Sequence, residues 1–381
     1  MKVPFNKPYL AGKETEYVQQ SVSSGKISGD GIFTKNCHTF FEKRFGFNKC
    51  LLTTSCTDAL EMAAILLDIV PGDEVIMPSY TFVSTANAFV LRGAKIVFCD
   101  SRKDHPGMDE TLIESLISDK TRVIVPVHYA GVSCDMNIIM GLADKYRLFV
   151  VEDAAQAIDS YFTFPGGIRK PLGSIGHMAA FSFHETKNVQ CGEGGMLVIN
   201  DDLFSKRAEI IREKGTNRSA FFRGEVDKYG WVDIGSSFLP SDILAAFLFS
   251  QLEHLDEIQQ KRMDIWNSYY QGLEPLQEKG LLKLPVLPAG TSNNAHMFYV
   301  LCNSTEDRTG LINHLKNNEI LAVFHYLSLH KSAYYKNKHD GRELFMSDHY
   351  SDKLVRLPVW AGMKDETQFI INKTWEYFQN K

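Results

Sequence analysis

The chain has 381 residues, of which 44% are hydrophobic and 12% aromatic, and this predicts two folded domains, or one large domain with an appendage. A formal net charge of −5 argues against a general nucleic-acid-binding or anionic-membrane surface and favours small-molecule partners. The seven cysteines form no CxxC pair or zinc-finger spacing, and the chain has no signal-like start and no run of about 18 apolar residues. We therefore expect a cytoplasmic protein with reduced thiols, no metal site and no membrane span.

Short β-rich runs alternate with helix-like segments between about residues 50 and 215. Residues 109–118 and 135–146 have apolar side chains at helical spacing. This alternation predicts βαβ units around a mainly parallel sheet flanked by helices, with ligands bound beyond the carboxyl ends of the strands. The predicted strands include residues 74–77, 95–99, 122–127 and 148–151.

The pattern changes near residue 242, where a long helical stretch continues to about residue 273. We expect this stretch to bridge two domains. Beyond residue 280, β-rich runs at residues 297–301 and 321–326 flank a predicted helix near residues 309–318, which indicates a smaller α+β domain. The predicted division is a large domain at residues 1–250 and a small C-terminal domain at residues 251–381.

A carboxylate and a lysine stand near the ends of two predicted strands. Asp153 closes an apolar run, and Lys187 follows another and precedes a glycine-rich turn. Pyridoxal phosphate needs a lysine to form its resting imine and an acid to keep its pyridine nitrogen protonated. The lysine must have a pKa below its usual value of about 10.4, and the apolar residues before Lys187 suit this requirement. The two residues together favour a pyridoxal phosphate site. Taken singly, Lys187 could be a solvated loop lysine and Asp153 a strand-end cap.

A hydroxyl-rich run at residues 53–60 precedes a predicted helix at residues 61–67. The N–H groups of a helix N-terminus bind phosphate, and the hydroxyl of Ser182 could reach the same phosphate. An ordinary N-cap has the same pattern, so both interpretations stay open on these residues alone.

Two further side chains suit the cofactor ring. Phe82 follows a predicted strand and offers a flat apolar surface for stacking, although most phenylalanines belong to a core. Gln156 lies three residues after Asp153, so a helical turn there would point both side chains the same way. Its amide suits the phenolic oxygen of the cofactor.

Taken together, these motifs resemble those of the DegT/DnrJ/EryC1/StrS sugar aminotransferases, and the resemblance runs through essentially the whole chain. It implies the fold-type I architecture of pyridoxal-phosphate-dependent aminotransferases, with a smaller C-terminal α+β domain. The matching motifs are Gly72-Asp73-Glu74-Val75-Ile76, Thr81-Phe82, Pro126-Val127-His128-Tyr129-Ala130-Gly131, Glu152-Asp153-Ala154-Ala155-Gln156, Ser182-Phe183-His184 with Lys187, and Gly192-Glu193-Gly194-Gly195.

The resemblance implies a role for each matching residue. Lys187 is the Schiff-base and catalytic lysine, Asp153 binds the ring nitrogen, and Gln156 lies near the phenolic oxygen. Histidine replaces this lysine in some relatives that are dehydratases, so Lys187 favours transamination. The other implied cofactor residues are Phe82 on the ring, with Cys56, Thr57, Ser182 and Ser237 around the phosphate. Cys56 stands where glycine is frequent, and Ser237 where an asparagine from the neighbouring subunit of a homodimer is frequent.

The acceptor is predicted from a basic and aromatic segment at residues 212–229, which could hold a nucleotide diphosphate. With residues 294–299 and 323–326, it resembles the subgroup that makes dTDP-4-amino-4,6-dideoxygalactose. This implies dTDP-4-dehydro-6-deoxy-D-glucose as the acceptor and L-glutamate as the donor, for surface-polysaccharide biosynthesis. The candidate substrate-binding residues are Arg218, Arg223, Lys228, His325 and Tyr326.

Several alternatives share these motifs. Transaminases that act on 3-keto sugars or on UDP- or GDP-linked sugars use the same cofactor residues, and a regulatory member of the family could keep the fold without catalysis. A nucleotide-sugar dehydrogenase is disfavoured, because neither Gly29-Asp30-Gly31 nor Gly192-Glu193-Gly194 lies between a first strand and its helix.

Overall fold

The computed structural model describes residues 1–379, which fold into alternating helices and strands over most of their length. The helices are α1 (Glu14–Ser23), α2 (Ile32–Phe45), α3 (Cys56–Leu66), α4 (Val83–Val90), α5 (Glu110–Leu116), α6 (Met136–Tyr146), α7 (Ser205–Arg212), α8 (Arg218–Phe222), α9 (Asp242–Glu253), α10 (Leu255–Glu278), α11 (Thr305–Asn317), α12 (Phe345–Lys353) and α13 (Asp365–Gln379). The strands are β1 (Lys49–Thr53), β2 (Glu74–Pro78), β3 (Lys95–Cys99), β4 (Thr121–Ile124), β5 (Phe149–Asp153), β6 (Tyr161–Thr163), β7 (Arg169–Pro171), β8 (Met178–Ser182), β9 (Gly195–Ile199), β10 (Leu282–Lys283), β11 (Phe298–Cys302), β12 (Val323–Phe324) and β13 (Leu354–Leu357).

A seven-stranded sheet in the order β1-β9-β8-β5-β4-β2-β3 confirms the predicted mainly parallel architecture. Its pairs are parallel from β8 to β3, and β9 runs antiparallel to both of its neighbours. Every residue of β2 and β9 is buried, because helices cover both faces of the sheet. β4 is shorter than the predicted run, since Pro126 has no N–H group to continue the ladder.

The helical stretch predicted from residue 242 to about residue 273 is two helices. The backbone leaves the helical conformation at His254, where φ is −109° and ψ is 17°. α9 ends there after packing against α1 and α2, and α10 continues toward α13. α9 contributes to the first core alone, whereas α10 reaches both cores.

The C-terminal part of the chain has its own antiparallel four-stranded sheet, in the order β10-β11-β13-β12. This sheet, α10, α11 and α13 enclose a second apolar core, which Val3 joins by pairing with Ile320. α10 contributes Ile258 to the first core and Ile265 to the second. The division between residues 250 and 251 stays a prediction. Among residues 1–379, no helix has the length and apolar character needed to cross a membrane.

One buried carboxylate fixes the start of α2, whose N-cap is a glycine without a capping side chain. Asp242, at the start of α9, accepts hydrogen bonds from the backbone N–H of Thr34 (2.9 Å), the hydroxyl of Thr34 (2.8 Å) and the backbone N–H of Phe33 (3.3 Å). A Cβ on Gly31 would lie 2.3 Å from Cγ of Asp242, so only glycine allows this approach.

We expect Asp242→Ala to lower the free energy of unfolding by about 1–3 kcal/mol, because it leaves buried donors at the start of α2 without an acceptor. The measurement is the urea concentration at the midpoint of unfolding. Asp119→Ala, at an exposed position, is the matched control and should leave the midpoint unchanged. Equal midpoints for the two variants would contradict this role of Asp242.

Candidate active site

A cavity of about 640 Å³ opens beyond the carboxyl ends of β5 and β8. The first turns of α3 and α4 and the chain around β12 and β13 complete its wall. This is the edge of a parallel sheet at which the topology predicts a ligand. The predicted residues that line it are Cys56, Thr57, Phe82, Asp153, Gln156, Ser182, Lys187, His325 and Tyr326.

Asp153 ends β5 with its carboxylate buried and held in place. Oδ2 accepts a hydrogen bond from the Thr85 hydroxyl (2.7 Å), and Oδ1 accepts one from the backbone N–H of Ala155 (3.2 Å). Burial raises the pKa of Asp153, while these two bonds and the nearby charge of Lys187 act in the opposite direction. The carboxylate is thus fixed in orientation and able to receive a hydrogen bond from a protonated ring nitrogen.

Lys187 lies in the turn that follows β8, with its backbone N–H bonded to the carbonyl of His184 (2.9 Å). Burial lowers the pKa of its amine to about 8, Cys56 and Asp153 oppose this shift, and the positive charge of Arg356 adds to it. At pH 7 about one amine in ten is then neutral, against fewer than about one in a thousand for an ordinary lysine. The amine has the protonation behaviour that imine formation requires.

The N-termini of α3 and α4 meet at one end of the cavity. Ser55 caps α3 by accepting the backbone N–H of Asp58 (3.0 Å), and the Thr57 hydroxyl donates to Oγ of Ser84 on α4 (2.8 Å). Both interpretations of the hydroxyl-rich run therefore apply, because Ser55 caps the helix while Cys56 and Thr57 line the cavity. Helix N-termini that converge in this way suit a phosphate group.

Gly195 in β9 makes that end of the cavity possible. A Cβ there would lie 2.3 Å from the backbone nitrogen of Cys56, so a larger residue would push the start of α3 away. Gly195 of the glycine-rich motif thus lets the backbones of β9 and of the start of α3 lie close together.

Phe82 is 55% exposed although it is apolar, because its ring forms part of the cavity wall. Its centroid lies 6.0 Å from that of Tyr326. Gln156 is fixed by a hydrogen bond from the backbone N–H of Ala130 to its Oε1 (2.7 Å), so its amide nitrogen donates toward the Tyr326 hydroxyl (3.1 Å). These positions allow the predicted ring contacts, whose assignment stays a prediction.

His325 and Tyr326 follow β12 and bring the C-terminal sheet to the cavity. His325 Nδ1 is hydrogen-bonded to the Tyr129 hydroxyl (2.8 Å), and burial lowers the pKa of His325 well below its usual range. Tyr326 adopts a φ of 47°, which is uncommon for a bulky residue and is held in place by the surrounding rings. A neutral imidazole and a phenol hydroxyl thus line this part of the cavity.

The remaining predicted residues lie outside this cavity. Arg218 pairs with Glu213 (2.8 Å), and Arg223 pairs with Glu225 (2.7 Å) on an exposed segment. Lys228 and Ser237 are also exposed. The chain does not bring these four side chains to its own cavity, so their roles stay predictions that need a second chain.

Sequence reasoning missed two residues of the site. The Thr85 hydroxyl donates a hydrogen bond to the carboxylate of Asp153. The signal for it in the sequence was the position of this threonine, one helical turn after Thr81. Arg356 lines the cavity from β13, and its only signal was a charge within the apolar run of residues 354–357.

Comparison with known proteins agrees with this geometry. A model of the DegT/DnrJ/EryC1/StrS aminotransferase family matches residues 8–374. The spore coat polysaccharide biosynthesis protein SpsC of Bacillus subtilis is 30% identical over 380 residues, covering 96% of this chain and 94% of that protein.

Solved structures give the same result. The aminotransferase TlmJ from Streptoalloteichus hindustanus has a TM-score of 0.91 at 26% identity, with all of both chains covered. The PLP form of the putative sugar aminotransferase Spr1654 from Streptococcus pneumoniae has a TM-score of 0.89 at 25% identity, covering 100% of this chain and 99% of that chain. These matches confirm the predicted fold-type I architecture and pyridoxal phosphate as the cofactor, and the amine, the buried carboxylate and the helix N-termini of the cavity fit that cofactor.

We expect cofactor-free protein to take up pyridoxal phosphate covalently at a rate that rises with pH, is half-maximal near pH 8 and levels off about one pH unit higher, because only the neutral amine of Lys187 reacts and burial lowers its pKa to about 8. The measurement is the absorbance change of the cofactor between pH 6 and pH 10. Lys187→Ala is the control and should give no covalent product. A rate that keeps rising to about pH 10 would show an ordinary, solvated lysine.

Proposed function

The chain belongs to the DegT/DnrJ/EryC1/StrS aminotransferase family, and from this premise we propose that it transfers the amino group of L-glutamate to dTDP-4-dehydro-6-deoxy-D-glucose. The product would be dTDP-4-amino-4,6-dideoxy-D-galactose, a precursor of surface polysaccharide. Family and cofactor make the chain a pyridoxal-phosphate-dependent sugar aminotransferase. The proposal adds the nucleotide, the sugar and the donor.

The observation that supports catalysis best is the presence, in one cavity, of an amine with a pKa of about 8 and a buried, hydrogen-bonded carboxylate. When bound, pyridoxal phosphate supplies an aldehyde for imine formation and a ring that accepts electrons. Lys187 would hold the aldehyde carbon and Asp153 the ring nitrogen. Phe82, Gln156 and the first turn of α3 would hold the ring face, the phenolic oxygen and the phosphate.

Once the donor has entered, the amine of Lys187 would act as the general base that removes the proton from the donor's α-carbon. A pKa of about 8 suits this role, because the amine can both take and return a proton near neutral pH. The Thr85 hydroxyl favours the charged form of Asp153, which keeps the partner nitrogen protonated. Donor and acceptor use the same cavity in turn, so double-displacement kinetics follow.

The acceptor is supported by the likeness of residues 212–229, 294–299 and 323–326 to the dTDP-4-amino-4,6-dideoxygalactose transaminases. His296, His325 and Tyr326 of these segments line the cavity. A 3-keto sugar, or a UDP- or GDP-linked sugar, is the alternative with the same cofactor residues. A reducing compartment, the cytoplasm, suits a chain whose seven cysteines include no CxxC pair.

The substrate test is incubation of the purified protein with L-glutamate and a panel of dTDP- and UDP-linked 3-keto and 4-keto sugars, followed by NMR of the products. We expect the 4-amino product from the dTDP-linked 4-keto sugar and at least a thousand-fold lower rate for Lys187→Ala, because anchor and base are both lost. Only 3-amino or UDP-linked products would overturn the acceptor assignment. No amine transfer to any sugar would favour a regulatory member.

A homodimer is also part of the proposal. Trp231 is 85% exposed and lies beside other exposed apolar residues in what we call the 221–234 surface. An apolar patch of this kind marks an interaction site, and a second copy would cover it. The same contact could bring Arg218, Arg223, Lys228 and Ser237 to the partner's cavity. The exposed apolar residues of the 221–234 surface are Phe221, Phe222, Tyr229, Trp231, Val232 and Ile234.

Light scattering should give the wild-type protein twice the chain mass of 43.1 kDa. We expect Trp231→Asp to shift the mass toward that of one chain, because it places a charge in the covered surface. Ile168→Ser, which changes an exposed apolar residue outside the 221–234 surface, is the control and should leave the mass unchanged. A wild-type monomer, or no effect of Trp231→Asp, would count against this surface as the interface.

A further inference from the structure

Arg356 is a cation without a counterion in the cavity wall. It lies in the middle of β13, between Tyr299 on one neighbouring strand and Val323 on the other. Its Nε is buried and has no hydrogen-bond partner, and no carboxylate of residues 1–379 forms an ion pair with its guanidinium. The side chain as a whole is half-buried. A charge that is partly removed from water without a partner is costly, so its retention points to a ligand that supplies the opposite charge.

A nearby arginine provides the contrast. Arg262 is fully buried, and it donates to the carbonyl oxygens of Ala295 (3.0 Å) and His296 (2.6 Å) and is absent from the cavity wall. Arg262 therefore has a structural role within the fold. Arg356 has no such acceptors and faces the space where substrates bind.

The surroundings of Arg356 fix its guanidinium without neutralising it. Its Cζ lies 4.8 Å from the ring centroid of Phe5, which covers one face of the group. Burial lowers the pKa of Arg356, and the hydroxyls of Tyr129, Tyr326 and Tyr80 oppose that shift. The group stays charged at neutral pH, since an arginine guanidinium is not deprotonated in proteins. Its free N–H groups form a rigid fork that matches the two oxygens of a carboxylate.

The donor and the acceptor each bring an anion, and their covalent geometry decides between them. The α-carboxylate of an amino acid is attached to the carbon that carries the reacting nitrogen, whereas the diphosphate of a nucleotide sugar lies across the sugar ring from the keto carbon. Arg356 and Lys187 line the same cavity, and the charge of Arg356 contributes to lowering the pKa of Lys187. An anion bound there belongs next to the reacting carbon.

We propose that Arg356 binds the α-carboxylate of the amino-acid donor through paired N–H···O bonds and so turns the donor's α-hydrogen toward Lys187. This inference rests on the proposed function, and it adds the residue that selects an α-amino acid as the donor. Fixing one substituent of the α-carbon restricts the other bonds, so Arg356 sets both affinity and orientation.

We expect Arg356→Met to raise the KM for L-glutamate by about 10- to 100-fold, because a charge-assisted pair of hydrogen bonds is lost. Arg356→Lys should recover part of the affinity, since it keeps the charge and loses the fork. Arg122→Met, an exposed arginine on β4, is the matched control and should behave as the wild type. Thermal melting of each variant checks folding, and if Arg356→Met does not fold, a raised KM in folded Arg356→Lys decides the question.

The identity of the bound group is tested in the half-reaction without sugar acceptor, followed by the absorbance of the cofactor. Three donors are compared: L-glutamate, its α-amide isoglutamine, and L-glutamine, which lacks the γ-carboxylate. The wild-type protein should discriminate against isoglutamine, and Arg356→Met should lose that discrimination while its ratio of glutamate to glutamine stays unchanged. If Arg356→Met instead loses the preference for glutamate over glutamine, then Arg356 binds the γ-carboxylate and the inference is wrong.

The KM for the nucleotide sugar separates the remaining outcomes. If Arg356→Met raises that KM and leaves the donor unaffected, Arg356 binds phosphate and the inference is wrong. If wild-type protein reacts with glutamate but Arg356→Met is unchanged, the inference fails alone and the proposed function stands. If wild-type protein reacts with no α-amino acid, both fail.

Discussion

Two successive carboxylates at the end of β5 hold the site together. Side chains alternate along a strand, so Glu152 and Asp153 point to opposite faces of the sheet. Burial disfavours the charge on Glu152, but its partners outweigh that cost and keep its pKa below the usual value. Asp153 faces the cavity on the other side. The partners of Glu152 are His128 Nε2 and the backbone N–H groups of Gly173, Ile175 and Gly176.

The two carboxylates thus have different roles: Glu152 stabilises the fold, and Asp153 is available to a ligand. Glu152 ties the chain that leads into β8 to the end of β5, and β8 in turn carries the turn with Lys187. Asp153 needs only one hydroxyl and one N–H to stay in place, which leaves its carboxylate open to the cavity. Charges that no residue of the described chain satisfies, such as that of Arg356, cost stability and are placed where ligands bind.

Much of this was predictable from local pattern. Apolar runs and their spacing indicated the parallel sheet, and the position of Asp153 at a strand end and of Lys187 after a strand indicated the side of the sheet that carries the site. These features depend on neighbours in sequence. The hydroxyl-rich motif at the start of α3 was ambiguous, because hydroxyl groups both cap helices and bind ligands. In the structure Ser55 caps the helix, and its neighbours Cys56 and Thr57 line the cavity.

Other features depend on contacts between distant segments. The break at His254 goes with the different partners of α9 and α10, which periodicity within one helix does not contain. Arg356 lies in a strand whose neighbours decide which side chains face the cavity. The basic residues of the segment at 212–229 were predicted as substrate contacts from its cations and aromatics and from a subgroup resemblance, but none of these says whether a segment folds over its own site.

The N-terminal residues have a consequence for synthesis. Val3 pairs with Ile320 and Phe5 covers Arg356, so both residues have partners that the ribosome makes much later. The first core can form earlier, because its sheet is built from the middle of the chain. Completion of the ligand cavity therefore waits for the synthesis of β13, and Val3 and Phe5 lack these partners until then.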